Sequence, residues 1–296
     1  MRKVWATLLV TLSLACAAVT VRTDPPVAIH ETLRVATFNI HKGASRRGPY
    51  DLERTIDAMA RLGADVIGVQ EAMRNDAAFG CDDQPALIAT GLRRRTGRLW
   101  AHVYAPAWVT DNRRCADAGR GDDVATEGLA VFASDRIIDS QRVRLNTGRV
   151  GLAVRLAGLP DVPVVVTHLA ANRRNQADRV REIGILLPWL RQLGPGSILI
   201  GDLNAEADAR ELAPLVASYR DAWVEAAAGG TARGTANGAT RPNGRSRIDY
   251  VMYTPTTSLV VNAVEVVDTR ALGLGDVSDH MPVVATFRRM PNAGVH

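Results

Sequence analysis

Ser197-Ile198-Leu199-Ile200-Gly201-Asp202-Leu203-Asn204 is an apolar run that ends in glycine and then sets an Asp and an Asn two residues apart. Such a run reads as a buried strand. Residues two apart on an extended chain share a face. Asp202 and Asn204 are therefore expected to point together into one pocket at the strand's carboxyl end, where open α/β sheets place their ligands. A carboxylate beside a neutral amide suits a reaction that needs both a proton acceptor and a hydrogen-bond donor. The competing reading is a simple turn, which Asp and Asn often make after a strand.

Outward from this stretch, other apolar runs end in the same way. Leu33 to Asn39 alternates as a first strand, and Asp65 to Gln70 is a buried strand that stops at Glu71. Val162 to Thr167 ends at His168, Arg247 to Tyr253 carries Asp249, and Asp279-His280 precedes a last strand from Val283 to Phe287. Each polar residue alone has an ordinary explanation as a cap, a turn former or half of an ion pair. Six apolar segments marked only by Asp, Glu, Asn and His form a coherent set, because strands of one layer can converge their ends on one cleft. Glu71 and Asp279 are hard oxygen donors and Asn39 adds a neutral one, a set that suits Mg²⁺ with substrate phosphate completing its shell. No Cys/His cluster is spaced to hold zinc. A histidine beside a carboxylate can act as acid or base near neutral pH. There is no nucleotide-type Gly-rich loop and no serine at Gly128-Leu129-Ala130 to act as a nucleophile. Hydrolysis of a phosphate ester by an activated water is the chemistry that fits.

The remaining elements complete the pattern. Asp51 is expected to cap a helix running to Leu62, with further helices over Gln84 to Thr96, Gln176 to Gln192 and Glu206 to Val216. Strands are expected at Leu99 to Tyr104, Gly128 to Ser134, Ile137 to Leu145, Val150 to Leu156 and Leu259 to Val267. Ala105 to Thr126 reads as a long polar loop and Ala226 to Arg245 as a mobile Gly-rich one. Composition shows no break after Leu33 and no repeat, so one domain is expected.

The 296 residues are 47% hydrophobic and 23% charged, ordinary for a globular chain with a sizeable core. The formal charge is +5, and lysine occurs only at Lys3 and Lys42, so the basic surface is almost all arginine. Arginine's planar fork matches phosphate, yet no dense basic run interleaved with aromatics demands a nucleic-acid partner. Met1-Arg2-Lys3 followed by the uncharged stretch Val4 to Val19 is a secretory signal pattern. Ala15-Cys16-Ala17 offers a cleavage site, with lipidation of Cys16 as the alternative. The expectation is a signal peptide over 1–18, a linker over 19–32 and a domain over 33–290, in a periplasmic or extracellular protein. Cys81 and Cys115, the two cysteines left after cleavage, then read as a disulfide.

Taken in order, Thr37-Phe38-Asn39, Gln70-Glu71, Glu127-Gly128-Leu129-Ala130, Thr167-His168-Leu169, Gly201-Asp202-Leu203-Asn204, Arg247-Ile248-Asp249-Tyr250 and Ser278-Asp279-His280 resemble the endonuclease/exonuclease/phosphatase superfamily, the deoxyribonuclease I-like fold. The resemblance implies an α/β (α+β) four-layer sandwich of two packed, mostly antiparallel sheets flanked by helices. It implies a divalent metal, Mg²⁺ or alternatively Mn²⁺, with Glu71 as principal ligand and Asn39 and Asp279 near it. His280 would be the general base or the group polarising the phosphate, with Asp249 orienting it. Asp202 would activate water or serve the leaving group, Asn204 would donate to a phosphoryl oxygen, and His168 would be the second histidine of the deoxyribonuclease and sphingomyelinase branches. His41 stands where some DNA-repair members carry an acid, which points away from abasic-site endonucleases. The implied activity is a phosphodiesterase acting on DNA, RNA or a phospholipid head group, at a membrane surface in the last case. It would work as a monomer with no protein partner. A phosphomonoesterase and a non-catalytic domain that kept the fold are the alternatives.

Overall fold

The computed structural model describes residues 31–110, 115, 124–171 and 175–290. The signal peptide, most of the linker, Cys16, Asp122 and Asp123 lie outside the described residues.

The Ile198-Leu199-Ile200 run explains the architecture. Ile198 and Ile200 face the apolar space between two sheets, whereas Leu199 faces a helix-covered outer layer. A strand buried on both faces needs an unbroken apolar run rather than an alternating one. The first sheet has seven strands in the order β10-β12-β13-β1-β2-β4-β3, where β1 is Thr32–Asn39, β2 Val66–Arg74, β3 Ala101–Val109, β4 Thr126–Ala133, β10 Ala232–Arg233, β12 Leu259–Val266 and β13 Val283–Arg289. The second has six in the order β5-β6-β7-β8-β11-β9, where β5 is Ile137–Arg144, β6 Val150–Leu156, β7 Leu159–His168, β8 Ile198–Asp202, β9 Arg220–Asp221 and β11 Asp249–Tyr253. Only β1–β2, β10–β12 and β7–β8 pair in parallel; the other neighbours are antiparallel.

Helices α1 (Leu52–Arg61) and α2 (Gln84–Thr96) cover the outer face of the first sheet, burying Ile56, Met59, Ile88 and Leu92 against Phe38, Ile67 and Val69. The Asp51 side chain caps α1 by accepting from the Arg54 N–H at 3.0 Å, a contact worth about 1 kcal/mol. Helix α3 (Gln176–Gln192) covers the second sheet with Ile183, Leu186 and Leu190. The short helices α4 (Ala213–Ser218) and α5 (Ala222–Ala228) follow. The result is helix, sheet, sheet, helix, the four-layer α/β sandwich expected from the sequence.

Several boundaries differ. The expected loop over Ala105 to Thr126 begins later, because β3 runs on to Val109 through Pro106. β3 is the edge strand beside β4, and its register shifts between Pro106 and Trp108. An edge position with a bulge tolerates a proline that a central strand would not. The segment expected to be helical from Glu206 to Val216 is a 3-10 turn at Arg210–Leu212 leading into α4. The Gly-rich stretch from Ala226 is anchored rather than free: Ala239 and Thr240 are buried, and the Thr240 hydroxyl accepts from the N–H groups of Ile248 and Asp249. Cys81 and Cys115 form a disulfide with a Cα–Cα distance of 5.7 Å, tying the end of the β2–α2 connection to the segment after β3.

Candidate active site

Strand register builds the centre of the site. In the second sheet His168 of β7 and Asp249 of β11 are the direct neighbours of Asp202 on either side. Cross-strand partners share a face, so three titratable groups from separate parts of the chain meet. Gly201 makes this pairing possible. A Cβ there would stand 2.0 Å from the Thr167 carbonyl oxygen, and its φ of 146° lies where side chains are rarely tolerated. The first sheet supplies Asn39 from the end of β1. Its amide nitrogen donates to Asp202 Oδ2 and to Glu71 Oε1, each at 3.1 Å. Its Oδ1 accepts from the His41 N–H at 3.0 Å. The Ser278 hydroxyl donates to the Asn39 carbonyl at 2.7 Å, which brings the loop before β13, with Asp279 and His280, to the same place.

Glu71 does not end its strand, as the sequence suggested. β2 continues to Arg74, and the ladder with β4 slips between Val69 and Ala72. Glu71 sits in that bulge at φ 58°. Bulges re-aim side chains beside active sites, and a non-glycine residue in left-handed backbone is a strained conformation that must be held by its surroundings. Asp202 and Asn204 also differ from the simple expectation. The chain leaves extended geometry after Asp202, Asn204 adopts φ 51°, and its N–H donates to Asp202 Oδ1 at 2.8 Å. The turn reading and the pocket reading are both realised, for Asp202 closes the turn with one oxygen and faces the site with the other. The Asn204 amide nitrogen donates to the Leu169 carbonyl at 3.0 Å, leaving its second hydrogen for another acceptor.

Asp202 is 1% exposed. Burial, then the adjacent Asp249 carboxylate, push its carboxyl up to about 7, against the pull of His280 and of the Asn204 and Asn39 N–H donors. His280 Nδ1 donates to Asp249 Oδ2 at 2.8 Å, and His280 Nε2 lies 3.6 Å from Asp202 Oδ2. Burial disfavours a charged His280, but the two carboxylates outweigh it and lift its pKa to about 9, with Arg241 opposing them. Arg241 Nη1 stands 2.6 Å from His280 Nε2. A guanidinium can only donate, so this contact requires a lone pair on Nε2 and a neutral His280. The two carboxylates set the opposite preference, a protonated ring. His168 is arranged in parallel. Arg149 donates to its Nδ1 at 2.9 Å, leaving Nε2 to carry the proton 3.5 Å from Asp202 Oδ2. Burial, reinforced by Arg149, holds His168 well below the ordinary histidine value, so it is neutral.

Three further groups were not singled out from the sequence. Glu127, 5% exposed, lies 3.3 Å from Lys42, and burial followed by the Glu71 charge pushes its carboxyl up to about 7. Arg149 stacks over Trp108 with 4.8 Å to the ring centre, so Trp108 lines the site beneath a cation. Arg241 joins His280 to Asp279, bonding the latter at 2.9 Å. Only Glu127 carried any signal, as part of a quoted motif. His41 turns its Nδ1 to the Ala44 carbonyl at 3.0 Å and serves its own loop. Asp279 faces Arg241 and His280, and no contact joins it to Asn39 or Glu71 among the described residues.

The donor set fits a hard divalent cation. Glu71 and Glu127 crowd negative charge together, the nearby oxygens belong to carboxylates and an amide, and Asp249 Oδ1 is buried without a hydrogen-bond partner. Asp202, Asp249 and His280 offer ligand atoms within 4.8 Å of one another. Both nitrogens of His280 are already engaged, by Asp249 and Arg241. Glu71, aimed by its bulge and supported by Asn39, is the better-placed ligand for such an ion.

The sequence profile described as Endonuclease/Exonuclease/phosphatase family matches residues 36–280. The fold is similar to that of an endonuclease/exonuclease/phosphatase from Beutenbergia cavernae, with 23% identity, 88% of this chain and 72% of that chain covered, and a TM-score of 0.66. It is also similar to the human Nocturnin catalytic domain, at 20% identity, covering 89% and 97% of the two chains with a TM-score of 0.64. A mannosyl-6-phosphatase from Bacteroides thetaiotaomicron aligns at 14% identity over 86% and 99% of the chains, with a TM-score of 0.61. No curated protein sequence matches this chain. The profile spans every strand-end residue from Asn39 to His280, and the chain belongs to the endonuclease/exonuclease/phosphatase family.

Proposed function

We propose that this chain is an exported, divalent-metal-dependent phosphodiesterase whose substrate is a nucleic acid. The observation that carries the reading is the convergence on one buried carboxylate, Asp202, of His168, His280 and Asn39 from three different strands or loops. Asp202, with a carboxyl near 7, can take a proton from an attacking water as the new P–O bond forms. That proton is then available to the departing oxygen as the old P–O bond breaks. His280, held at Nδ1 by Asp249, presents Nε2 to a phosphoryl oxygen once Arg241 yields the position. His168 Nε2 and the free Asn204 amide hydrogen donate to charge that develops on phosphoryl oxygens. A divalent cation held by Glu71, with Mg²⁺ the first choice and Mn²⁺ the alternative, would supply electrophilic stabilisation of the phosphate.

Export is supported by the apolar N-terminal pattern and by the disulfide, which suits an oxidising compartment. Nucleic acid is favoured over a phospholipid head group by the surface next to His280. The cleft there is lined by Arg46, Arg47 and Arg241, and proline is its only apolar side chain. A lipid hydrolase would need an apolar rim to meet the bilayer.

The test is hydrolysis by the purified mature protein of plasmid DNA, sphingomyelin and bis(4-nitrophenyl) phosphate, each with Mg²⁺ and with a chelator. Metal-dependent cleavage of DNA and of the aryl ester is expected. Turnover of sphingomyelin alone would overturn the substrate assignment, and no turnover of any ester would overturn the enzyme reading.

A further inference from the structure

Beside His280 the surface opens into a cleft of about 250 Å³ lined by Arg46, Arg47, Arg241, Asp276, Ser278 and Asp279 among others. Its acids are already matched. Asp279 is bonded to Arg241 at 2.9 Å, and Asp276 lies 3.6 Å from Arg270. Arg46 and Arg47 are exposed and carry no hydrogen bond or ion pair to any described residue, so their charge is uncompensated. They sit at the tip of a short loop that is not loose. An Ala44–Tyr50 bridge closes it, and the Asp51 N–H donates to the Gly43 carbonyl at 2.8 Å behind it. Two unpaired guanidinium groups on a pinned turn open onto a cleft whose lining residues Ser278, Asp279 and Arg241 adjoin His280, which fixes their place relative to the reaction centre.

We propose that this cleft is a subsite for a second phosphate of a nucleic-acid strand whose neighbouring phosphodiester is hydrolysed beside His280. The inference rests on the phosphodiesterase reading and extends it from the bond broken to the length of substrate recognised. Planar guanidinium groups match phosphate oxygens in pairs. Arg241 links the two positions, since it lines the cleft and also contacts His280 Nε2. A substrate with a single phosphate would fill only the position at His280. A strand with flanking phosphates would fill both.

The experiment compares the wild type with the double variant Arg46→Ala/Arg47→Ala. Binding of a fluorescein-labelled oligothymidylate of about 12 nucleotides is followed by anisotropy in chelator across roughly 50–200 mM salt, and hydrolysis of bis(4-nitrophenyl) phosphate is followed with Mg²⁺. The expected result is about tenfold weaker oligonucleotide binding and a salt slope shallower by about 1.4, the loss of two single-strand phosphate contacts. Turnover of the one-phosphate ester should be unchanged, which also shows that the variant folds. Unaltered affinity and salt slope would overturn the subsite. So would selective loss of binding to phosphatidylglycerol vesicles with oligonucleotide binding intact, which would assign the cleft to a membrane surface. The binding arm needs no catalysis. An inactive wild type would refute the phosphodiesterase reading while the subsite was still judged on affinity.

Discussion

Gly201→Ala is the substitution that most directly tests how the site is held. Gly201 lies opposite Thr167 in the parallel β7–β8 pair, one residue before the His168–Asp202 pair. An added Cβ would stand 2.0 Å from the Thr167 carbonyl oxygen and 2.9 Å from its carbon. Both are backbone atoms, so no rotamer change relieves the overlap and the strands must part. Holding alanine at a φ of 146° costs about 1–3 kcal/mol, and the forced shift of a packed strand costs about another 1–3 kcal/mol. The loss is therefore about 2–6 kcal/mol. Gly230→Ala is the control. Gly230 also has positive φ, 69°, but an added Cβ there would meet nothing within 4 Å, so only about 1–2 kcal/mol of backbone cost applies. Urea melts followed by circular dichroism give both values. Activity should separate them too, because Asp202 Oδ2 must stay near His168 Nε2, now 3.5 Å away. A loss at Gly201 within about 1 kcal/mol of that at Gly230, with aryl-ester turnover retained, would refute the claim that backbone crowding at Gly201 positions Asp202.

Other outcomes follow from the same geometry. Asp202→Asn and His280→Ala should each lower turnover of bis(4-nitrophenyl) phosphate by at least about 100-fold; near-wild-type turnover in either would remove that residue from the mechanism. Glu127 has its carboxyl raised from the ordinary 4.5 to about 7, so its proton stabilises the fold below the lower value and that contribution is lost as pH rises through the higher one. In chelator, Glu127→Gln should therefore match the wild type at acid pH and exceed it in alkaline buffer by up to about 3 kcal/mol, less whatever Lys42 loses with its partner. Melts showing the same difference at both pH values would contradict the buried-carboxylate account. Replacing Cys81 and Cys115 together by serine removes a cross-link across 34 residues and should destabilise the protein by about 3–4 kcal/mol, read by urea denaturation. A loss below about 1 kcal/mol would mean that other contacts already pin that loop.

The sheets were legible because burial on one or two faces writes itself into apolar periodicity. Ile198-Leu199-Ile200 reads as a buried strand, which burial on both faces bears out, and Asp51 announced its helix by capping chemistry. The bulge at Glu71 left no such mark. Whether a strand stops at a glutamate or twists through it depends on the register of its partner β4, roughly sixty residues away, which local pattern does not encode. The loop expected from Ala105 erred in the opposite direction, because β3 runs on through Pro106, which is tolerated at an edge, and edge position is a property of the assembled sheet.

The two arginines show the deeper limit. Arg149 and Arg241 are ordinary members of an arginine-rich composition, and nothing beside them marks either one. Their significance comes from what lies across the cleft, because each aims an N–H at a ring nitrogen of one of the two histidines that flank Asp202. The carboxyl near 7 at Asp202 comes chiefly from burial and the charge preference of His280 from the two carboxylates beside it, neither from residue type. Strand-end acids, amides and histidines can therefore be read as a set, because the chemistry demands those types. The cations that tune them are interchangeable with any surface arginine until the fold brings them within hydrogen-bond reach. An incoming phosphate offers each guanidinium a charged oxygen in place of a neutral imidazole nitrogen, a stronger acceptor. Under the proposed function, substrate arrival and release of His280 Nε2 to a phosphoryl oxygen would be one event, and substituting Arg241 should alter the pH profile of turnover as well as its size.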